Sequence, residues 1–231
     1  MAETSYRQFC PVAMAADILC TRWTLMVVRE LVAGTTRFND LRRGLARMSP
    51  ALLSKRLKEL EAAGIVERVL LPGSETYEYR LTQSGHELRP VVEALGCWGQ
   101  RWIEKDLTLD NLDVGLLMWD MRRHLNTDPM PPRKSTVQFT YSDQPDARRR
   151  WWLIVEADGD VDLCSVDPGH DVDLYVSTNL RTMTEIWLGY STVAMARETD
   201  RLHLIGNMEL ERQMQTWLGL NPFSVVERMV A

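Results

Sequence analysis

The sequence lacks the features of a membrane or secreted protein. No apolar run approaches the roughly 20 residues that a membrane-spanning helix needs. The first twenty residues carry Glu3, Arg7 and Asp17 and no apolar block followed by a cleavage site, so no secretory signal is indicated. We therefore expect a cytoplasmic protein without a membrane partner.

Motifs for metal binding and catalysis are also missing. The four cysteines show no C-x₂-C spacing, and the four histidines are scattered along the chain. There is no Ser-His-Asp order, no G-x-S-x-G, no phosphate loop and no dinucleotide fingerprint. These absences argue against an enzyme, a structural metal and a bound cofactor.

The chain has the composition of a soluble globular protein, with 231 residues of which 45% are hydrophobic and 26% charged. This length fits one large domain or two small ones. The net charge of −5 is uneven: residues 1–105 carry 15 basic and 12 acidic side chains, whereas residues 106–231 carry 12 and 20. Residues 37–58 hold seven basic side chains and one acidic one. Such a segment is compatible with polyanion binding or with a solvated helical face.

Helix and hairpin signals follow one another in the first half. Apolar spacing predicts helices over four segments: 11–19, 23–32, 38–45 and 50–63. Ser49-Pro50 opens the fourth with an N-cap hydroxyl and a proline at the first helical position. A β-hairpin is expected over 65–81, and Thr82 is expected to cap a long helix that reaches Trp102. This order predicts a winged helix-turn-helix, which serves either in DNA binding or as a protein–protein module.

A series of motifs runs from residue 10 to residue 102. In chain order they are Cys10-Pro11, Arg22-Trp23-Thr24, Arg37-Phe38-Asn39-Asp40-Leu41, Ser49 with Leu53-Ser54, Arg56-Leu57-Lys58-Glu59-Leu60-Glu61, Gly64-Ile65-Val66-Glu67-Arg68, Tyr79-Arg80-Leu81-Thr82-Gln83-Ser84-Gly85 and Trp98. Together they resemble the HxlR-type winged-helix regulators, relatives of the MarR group. The resemblance implies a homodimer whose N-terminal and long C-terminal helices form the interface. It also implies two recognition helices on near-palindromic double-stranded operator DNA, with half-sites about one helical turn apart.

The same resemblance implies roles for individual residues. Ser49 would cap the recognition helix and contact a phosphate. The groove-facing positions would be Ala51, Ser54, Lys55 and Lys58, the phosphate-binding arginines Arg37, Arg42 and Arg43, and the wing tip Gly73 and Ser74. The wing departs from a strongly DNA-binding pattern, because its tip holds Glu75 and no basic residue.

Cys10 suggests an alternative mode of regulation. In some members of the resembled group a cysteine just before a proline near the N-terminus senses oxidants or electrophiles, and Cys10 holds that position. Nearby Arg7 is expected to favour the thiolate. The other interpretation of Cys10 is an unreactive thiol packed at the dimer interface.

Residues 134–231 show a second pattern, after a linker over residues 106–133 that contains a possible helix. Four strands are predicted near 137–141, 151–155, 161–164 and 172–176. Thr178 is then expected to cap the first of two helical pieces, which precede a strand over 202–205 and a helix over 207–218.

This order of elements resembles the sterol-carrier-protein type of lipid-binding domain. The stretches that carry the resemblance are Trp152-Leu153-Ile154-Val155, Cys164 with Pro168-Gly169, Val172-Asp173-Leu174, Ile186-Trp187-Leu188-Gly189 and Leu202-His203-Leu204-Ile205-Gly206. The resemblance implies an α/β domain with a mostly antiparallel sheet and an apolar cavity between sheet and helices. The candidate ligand-binding residues are Trp152, Met183, Trp187, Met195, Met208, Met214 and Trp217. The same side chains would also suit a closed core without a ligand.

The sequence therefore predicts an α+β protein. Residues 1–105 form a DNA-binding and dimerisation domain, 106–133 a linker and 134–231 a ligand-binding domain. The favoured function is a dimeric transcriptional regulator modulated by an apolar small molecule. The alternatives are a thiol-redox-sensing regulator that uses Cys10, and a lipid-binding or scaffold protein whose winged domain binds no DNA.

Overall fold

Two compact units make up the chain. The computed structural model describes residues 5–230, except for the side chain of residue 107. The units are Met1–Gly96 and Cys97–Ala231.

The first unit is a winged helix-turn-helix, as predicted. Its elements are α1 (Pro11–Leu19), α2 (Thr24–Val32), α3 (Phe38–Gly44), α4 (Pro50–Ala62), β1 (Val66–Leu70), β2 (Tyr77–Leu81), α5 (Gln83–His86) and α6 (Arg89–Trp102), the last of which ends in the second unit. The core joins α2, α3, α4 and the hairpin, and its best-buried side chains are Val27, Val28, Leu41, Leu53, Leu57 and Leu60. The three leucines of α4 recur every three or four residues, so one face of that helix lies in the core.

The β1–β2 hairpin is attached to the helical part through its second strand. The two strands pair antiparallel, with Val66 opposite Leu81 and Leu70 opposite Tyr77. Arg37, just before α3, forms an isolated antiparallel bridge with Glu78, and the Tyr79 amide donates to the Thr36 carbonyl at 2.8 Å. The hairpin is therefore fixed at its base to the N-terminus of α3.

The long helix predicted after Thr82 is interrupted. Thr82 caps the short helix α5, whose Gly85 amide donates to the Thr82 hydroxyl, and α6 then starts at Arg89. Pro90 explains the break, because a proline has no amide hydrogen and its ring would clash with the carbonyl of the residue four positions earlier. That residue is His86, the last of α5.

The second unit is a five-stranded sheet with helices. Its further elements are α7 (Lys105–Leu109), α8 (Val114–His124), β3 (Ser135–Tyr141), α9 (Asp146–Arg149), β4 (Arg150–Val155), β5 (Val161–Cys164), β6 (Leu174–Thr178), α10 (Leu180–Trp187), α11 (Val193–Glu198), β7 (Leu202–Gly206), α12 (Met208–Arg212) and α13 (Met214–Trp217). The strand order is β5-β4-β3-β6-β7. Only β3 and β6 pair in parallel, so the sheet is mostly antiparallel, as predicted.

One face of this sheet carries the core of the second unit. Alternate residues of the strands point to it, among them Phe139, Leu153 and Val176. Helix α8 also contributes, through Val114, Leu117, Met118 and Met121. The structure thus places the middle of the segment predicted as a linker inside the core of the second unit.

Two helix boundaries in the second unit differ from the prediction. Asn179, rather than Thr178, caps α10, and the Thr178 hydroxyl instead donates to the Arg201 carbonyl at 2.8 Å. The predicted helix over 207–218 is divided into α12 and α13. In an unbroken helix the Leu210 carbonyl would accept from the amide of Met214, but it accepts from the Trp217 indole nitrogen at 2.8 Å.

The C-terminal segment covers the last turn of α6. Arg228 donates to the carbonyls of Gln100 at 3.1 Å and Ile103 at 2.8 Å, and the Met229 amide donates to the Arg101 carbonyl at 2.9 Å. A helix leaves its last carbonyls without partners of its own, so these bonds complete the C-terminus of α6.

Among the described residues, no single helix has the length and apolar character to cross a membrane. The bent pair formed by α1 and α2 meets that test only by its combined length and composition.

Candidate nucleic-acid interface

Helix α4 presents a polar and basic face opposite its leucines. The Ser49 hydroxyl accepts from the Leu52 amide at 3.3 Å and so caps the helix, which confirms the predicted N-cap. Ala51, Lys55 and Lys58 are exposed, and Ser54 is half-buried. The structure thus brings the predicted groove-facing positions together on one accessible helical surface.

The arginines around α3 stand at the surface as well. Arg42 is exposed, and Arg43 is exposed with its guanidinium 3.4 Å from the Asp40 carboxylate. The Arg37 side chain is 67% exposed and lies 3.8 Å from Glu78. A hydrogen bond from Arg80 lowers the pKa of Glu78 below its ordinary value of 4.5, and the positive charges of Arg80 and Arg37 act in the same direction.

The wing tip is a tight turn without a basic residue. Gly73 has a φ of +72°, a conformation that glycine adopts without strain, and the Ser74 hydroxyl accepts from the Thr76 amide at 2.9 Å. Sequence analysis missed Arg68 on β1, which stacks 4.3 Å above the ring of Tyr77 and brings positive charge to the exposed surface of the wing. Because strands alternate their faces, Arg68 could have been assigned to the face of Tyr77 once the register was known.

Arg56 does not belong to this basic surface, although sequence counting placed it in the basic segment 37–58. Its side chain is only 12% exposed, its Nε donates to the Arg22 carbonyl at 3.1 Å, and it pairs with Glu59. The spacing gives the reason: Arg56 lies three residues after Leu53 and four before Leu60, on the inward side of α4.

Apolar side chains are exposed along α1 and α6. No residue of α1 is buried, and Val12 is 76% exposed. In α6, Val91 and Leu95 are exposed, and Trp98 and Trp102 continue the same helical stripe. Contiguous apolar surface of this kind marks interaction sites more often than it stays in water.

Cys10 lies at the N-cap position of α1, directly before Pro11. It is exposed, and its side chain makes no capping hydrogen bond. The redox role of Cys10 stays a prediction.

The seven candidate ligand-binding residues fall into three groups. Met183, Trp187, Met214 and Trp217 lie together in the core of the second unit. Trp152 is buried, but it points to the opposite face of the sheet from Leu153. Met195 and Met208 are 53% and 69% exposed, so they lie at the surface of the second unit and outside its core. The structure therefore brings four of the seven together, and the cavity stays a prediction.

The core of the second unit is rich in methionine beyond the predicted residues. Met118, Met121 and Met130 join Met183 and Met214 there. The buried Tyr141 hydroxyl donates to the Met118 sulfur at 3.0 Å, and burial raises the pKa of Tyr141. Sequence analysis missed these three methionines because they lie in the segment interpreted as a linker. Within residues 5–230, no group of three or more His, Cys, Asp or Glu side chains is arranged to hold a metal ion.

Known proteins resemble the first unit. A family model described as HxlR-like helix-turn-helix matches residues 18–107. The HTH-type transcriptional regulator YvaP of Bacillus subtilis (strain 168) is 37% identical over 99 residues, which are 42% of this chain and 92% of that protein. The HTH-type transcriptional regulator sll1512 of Synechocystis is 36% identical over 98 residues, 42% of this chain and 73% of that protein.

A solved structure is similar over a comparable share of the chain. The redox regulator HypR in its reduced form has 33% sequence identity and a TM-score of 0.37, over 39% of this chain and 91% of that chain.

Proposed function

The chain belongs to the HxlR-like helix-turn-helix family, and from that premise we propose that it is a homodimeric transcriptional regulator that binds double-stranded operator DNA. Helix α4 is the recognition helix of this proposal. It carries Lys55 and Lys58 on the face that the core leaves free. An α-helix fits the major groove of B-DNA, where its exposed side chains meet base edges and phosphates.

The basic face of α4 is the observation that carries the proposal. Arg42 and Arg43 of α3 are exposed as well, so two helices of the first unit carry basic side chains at its surface. Phosphate contacts supply a large share of the affinity for DNA, and they are made by the basic side chains that lie at the interface. The acidic second half therefore does not weigh against this function.

Dimerisation is part of the proposal and is supported by the exposed apolar side chains of α1 and the apolar stripe of α6. A two-fold symmetric dimer places the same surface of both copies in contact. Two copies of α4 would then read two half-sites in successive major grooves, as other helix-turn-helix dimers do.

Modulation by an apolar small molecule is the finer part of the proposal. It is supported by the methionine-rich core of the second unit. Methionine is flexible and polarizable, so such a core adapts to an inserted apolar ligand more readily than one of branched residues.

The test of DNA binding uses duplexes about 30 base pairs long, selected by the protein from a randomised library, since such a duplex spans two half-sites. We expect Lys55→Gln and Lys58→Gln each to weaken binding. Each should also reduce the slope of log affinity against log salt by about 2, because a homodimer loses one phosphate contact in each of its two copies.

Lys134→Gln is the matched control, because Lys134 lies outside the first unit and pairs with Glu156 at 2.9 Å. It should leave both affinity and slope unchanged. A parent protein that retains no duplex at low salt would contradict the proposal and favour a scaffold in which the winged unit binds only protein.

A further inference from the structure

One basic side chain of the recognition helix makes its hydrogen bonds to other groups of the protein. Arg56 donates through Nε to the backbone carbonyl of Arg22, 34 residues earlier in the chain, and through Nη1 to the Glu59 carboxylate one turn further along α4. The guanidinium therefore connects α4 with the turn that joins α1 to α2.

The turn that receives this hydrogen bond has an unusual backbone. Trp23 is the N-cap of α2 and has a φ of +78°, in the left-handed region that bulky residues rarely occupy. The peptide group that carries the Arg22 carbonyl is rotated by the φ of Trp23. A donor held on that carbonyl therefore supports the left-handed conformation, and with it the direction in which the chain leaves α1.

We propose that Arg56 is a positioning residue for DNA recognition, which fixes the orientation of α4 relative to the turn between α1 and α2. This inference rests on the proposed function, because α1 is there a contact between the two copies. A link from α4 to the end of α1 then sets the separation and phase of the two recognition helices along the duplex.

The chemistry of this link requires arginine. A planar guanidinium donates in two fixed directions at once, here to a carbonyl and a carboxylate, whereas a lysine ammonium is a compact charge on a flexible stem. Arg56→Lys therefore keeps the charge and removes the bidentate geometry, which separates a positioning role from a simple electrostatic one.

Three duplexes test the proposal: the full duplex selected by the parent protein, a version with one half-site scrambled, and an unrelated duplex. For Arg56→Lys we expect affinity for the full duplex to fall about tenfold, the size of a substantial recognition defect. Affinity for the other two should change less than about twofold, and the salt slope should be unchanged, because no phosphate contact is lost. Lys55→Gln is the contrasting variant, since it should weaken all three and lower the slope.

A thermal melt of each variant establishes that it is folded at the temperature of the binding assay. Should Arg56→Lys be unfolded there, Glu59→Gln replaces it, because that change removes the carboxylate that orients the guanidinium and keeps the carbonyl bond. It should give the same selective loss for the full duplex at a smaller amplitude.

Two results would overturn the inference while leaving the proposed function intact. One is full-duplex binding by Arg56→Lys equal to that of the parent. The other is an equal loss for all three duplexes with a reduced salt slope, which would make Arg56 a phosphate contact. A parent protein that selects no duplex contradicts the proposed function itself and this inference with it.

Discussion

Gly85 occupies a position where only glycine, which has no Cβ, fits. A Cβ built on it would lie 2.2 Å from the backbone carbonyl oxygen of Ile65. Two neighbours hold that backbone in place: the Thr82 hydroxyl donates to the Gly64 carbonyl at 2.7 Å, and the Ser84 hydroxyl donates to the same carbonyl at 2.8 Å. This part of the Tyr79–Gly85 motif therefore joins the end of β2 to the start of β1, and its role is structural.

We expect Gly85→Ala to destabilise the first unit by about 2–3 kcal/mol, the cost of forcing an extra group into packed surroundings. The contacting atom belongs to the backbone, so rotation of a side chain cannot relieve the clash. Chemical unfolding followed by circular dichroism measures the change.

Gly73→Ala is the control for this prediction. Gly73 has a positive φ, which Gly85 does not, and no atom lies within 4 Å of a Cβ built there. Its substitution should cost only about 1 kcal/mol, from the left-handed conformation alone. A loss for Gly85→Ala no larger than that for Gly73→Ala would contradict a clash with the Ile65 backbone.

At the level of residues, sequence reasoning succeeded where the signal was local. The cap at Ser49 and the exposure of Lys55 and Lys58 follow from a hydroxyl before a proline and from the phase of the α4 leucines. The phase of the α4 leucines also predicts that Arg56 lies on the inward side of the helix, but a count of charges along the sequence does not use that information. Its partner, the Arg22 carbonyl, could not be predicted, because that contact depends on the packing of two distant segments.

Helices α1 and α6 share a property that distinguishes them from the other helices of their size. Neither buries a single residue among those the structure describes, although both carry large apolar side chains. Leaving such surface in water is costly, at roughly 25 cal/mol for each Å². Association with a second copy would remove that cost.

We expect Leu95→Glu to convert a dimer into a monomer, because the change places a charge in the middle of the α6 stripe. The sedimentation coefficient should fall to that of a single chain. Binding to the full selected duplex should weaken by about tenfold or more, since two linked half-sites no longer bind together.

Ile205→Glu is the matched control for dimerisation. Ile205 is another exposed apolar residue, on β7 of the second unit. This variant should sediment as the parent does. A parent that is monomeric at every concentration, or a Leu95→Glu variant that remains dimeric, would contradict the proposed interface.

At the level of elements, the sequence indicated helices and strands well and their partners less well. The hairpin β1–β2 was predictable because a turn signal separates two short runs. The parallel pairing of β3 with β6 was not, because nothing in either strand specifies which distant strand will lie beside it. The packing of α8 was missed for the same reason. Its apolar face packs against β5 and the core of the second unit, and the sequence of α8 does not specify those partners.

The whole molecule combines a helix-turn-helix unit of the HxlR-like family with a second unit of different composition. For a small molecule to regulate DNA binding, it must bind the two states of the dimer with different affinity. Linkage also makes the effect reciprocal, so the duplex must change the affinity for the ligand by the same factor.

We expect the neutral fluorescent probe phenylnaphthylamine to bind the second unit and to change duplex affinity by about fivefold or more, the lower range of measured couplings. Fluorescence titration with and without the duplex, together with duplex titration at saturating probe, measures both sides of the linkage. A probe that saturates its signal and leaves duplex affinity unchanged would contradict modulation through this unit.

Two methionines supply the variants that locate the probe. Met183→Phe adds a ring in the centre of the core, where Met183 is fully buried, and should weaken probe binding. Met195→Phe makes the same change at an exposed position and should not. Equal effects of the two would place the probe at the surface.

The strand order of the second unit also bears on the order in which the chain folds. The inner strand β3 cannot complete its pairing until β6, which ends at Thr178, has been synthesised. In turn, β6 cannot complete its pairing until β7, which ends at Gly206, has been synthesised. The core of the first unit is complete once residue 96 has been synthesised. At about 5–20 residues per second, the ribosome takes roughly 5–20 s more to deliver β7. The helix-turn-helix unit can therefore fold while the sheet is still incomplete, and during that interval it exposes α1 to other chains.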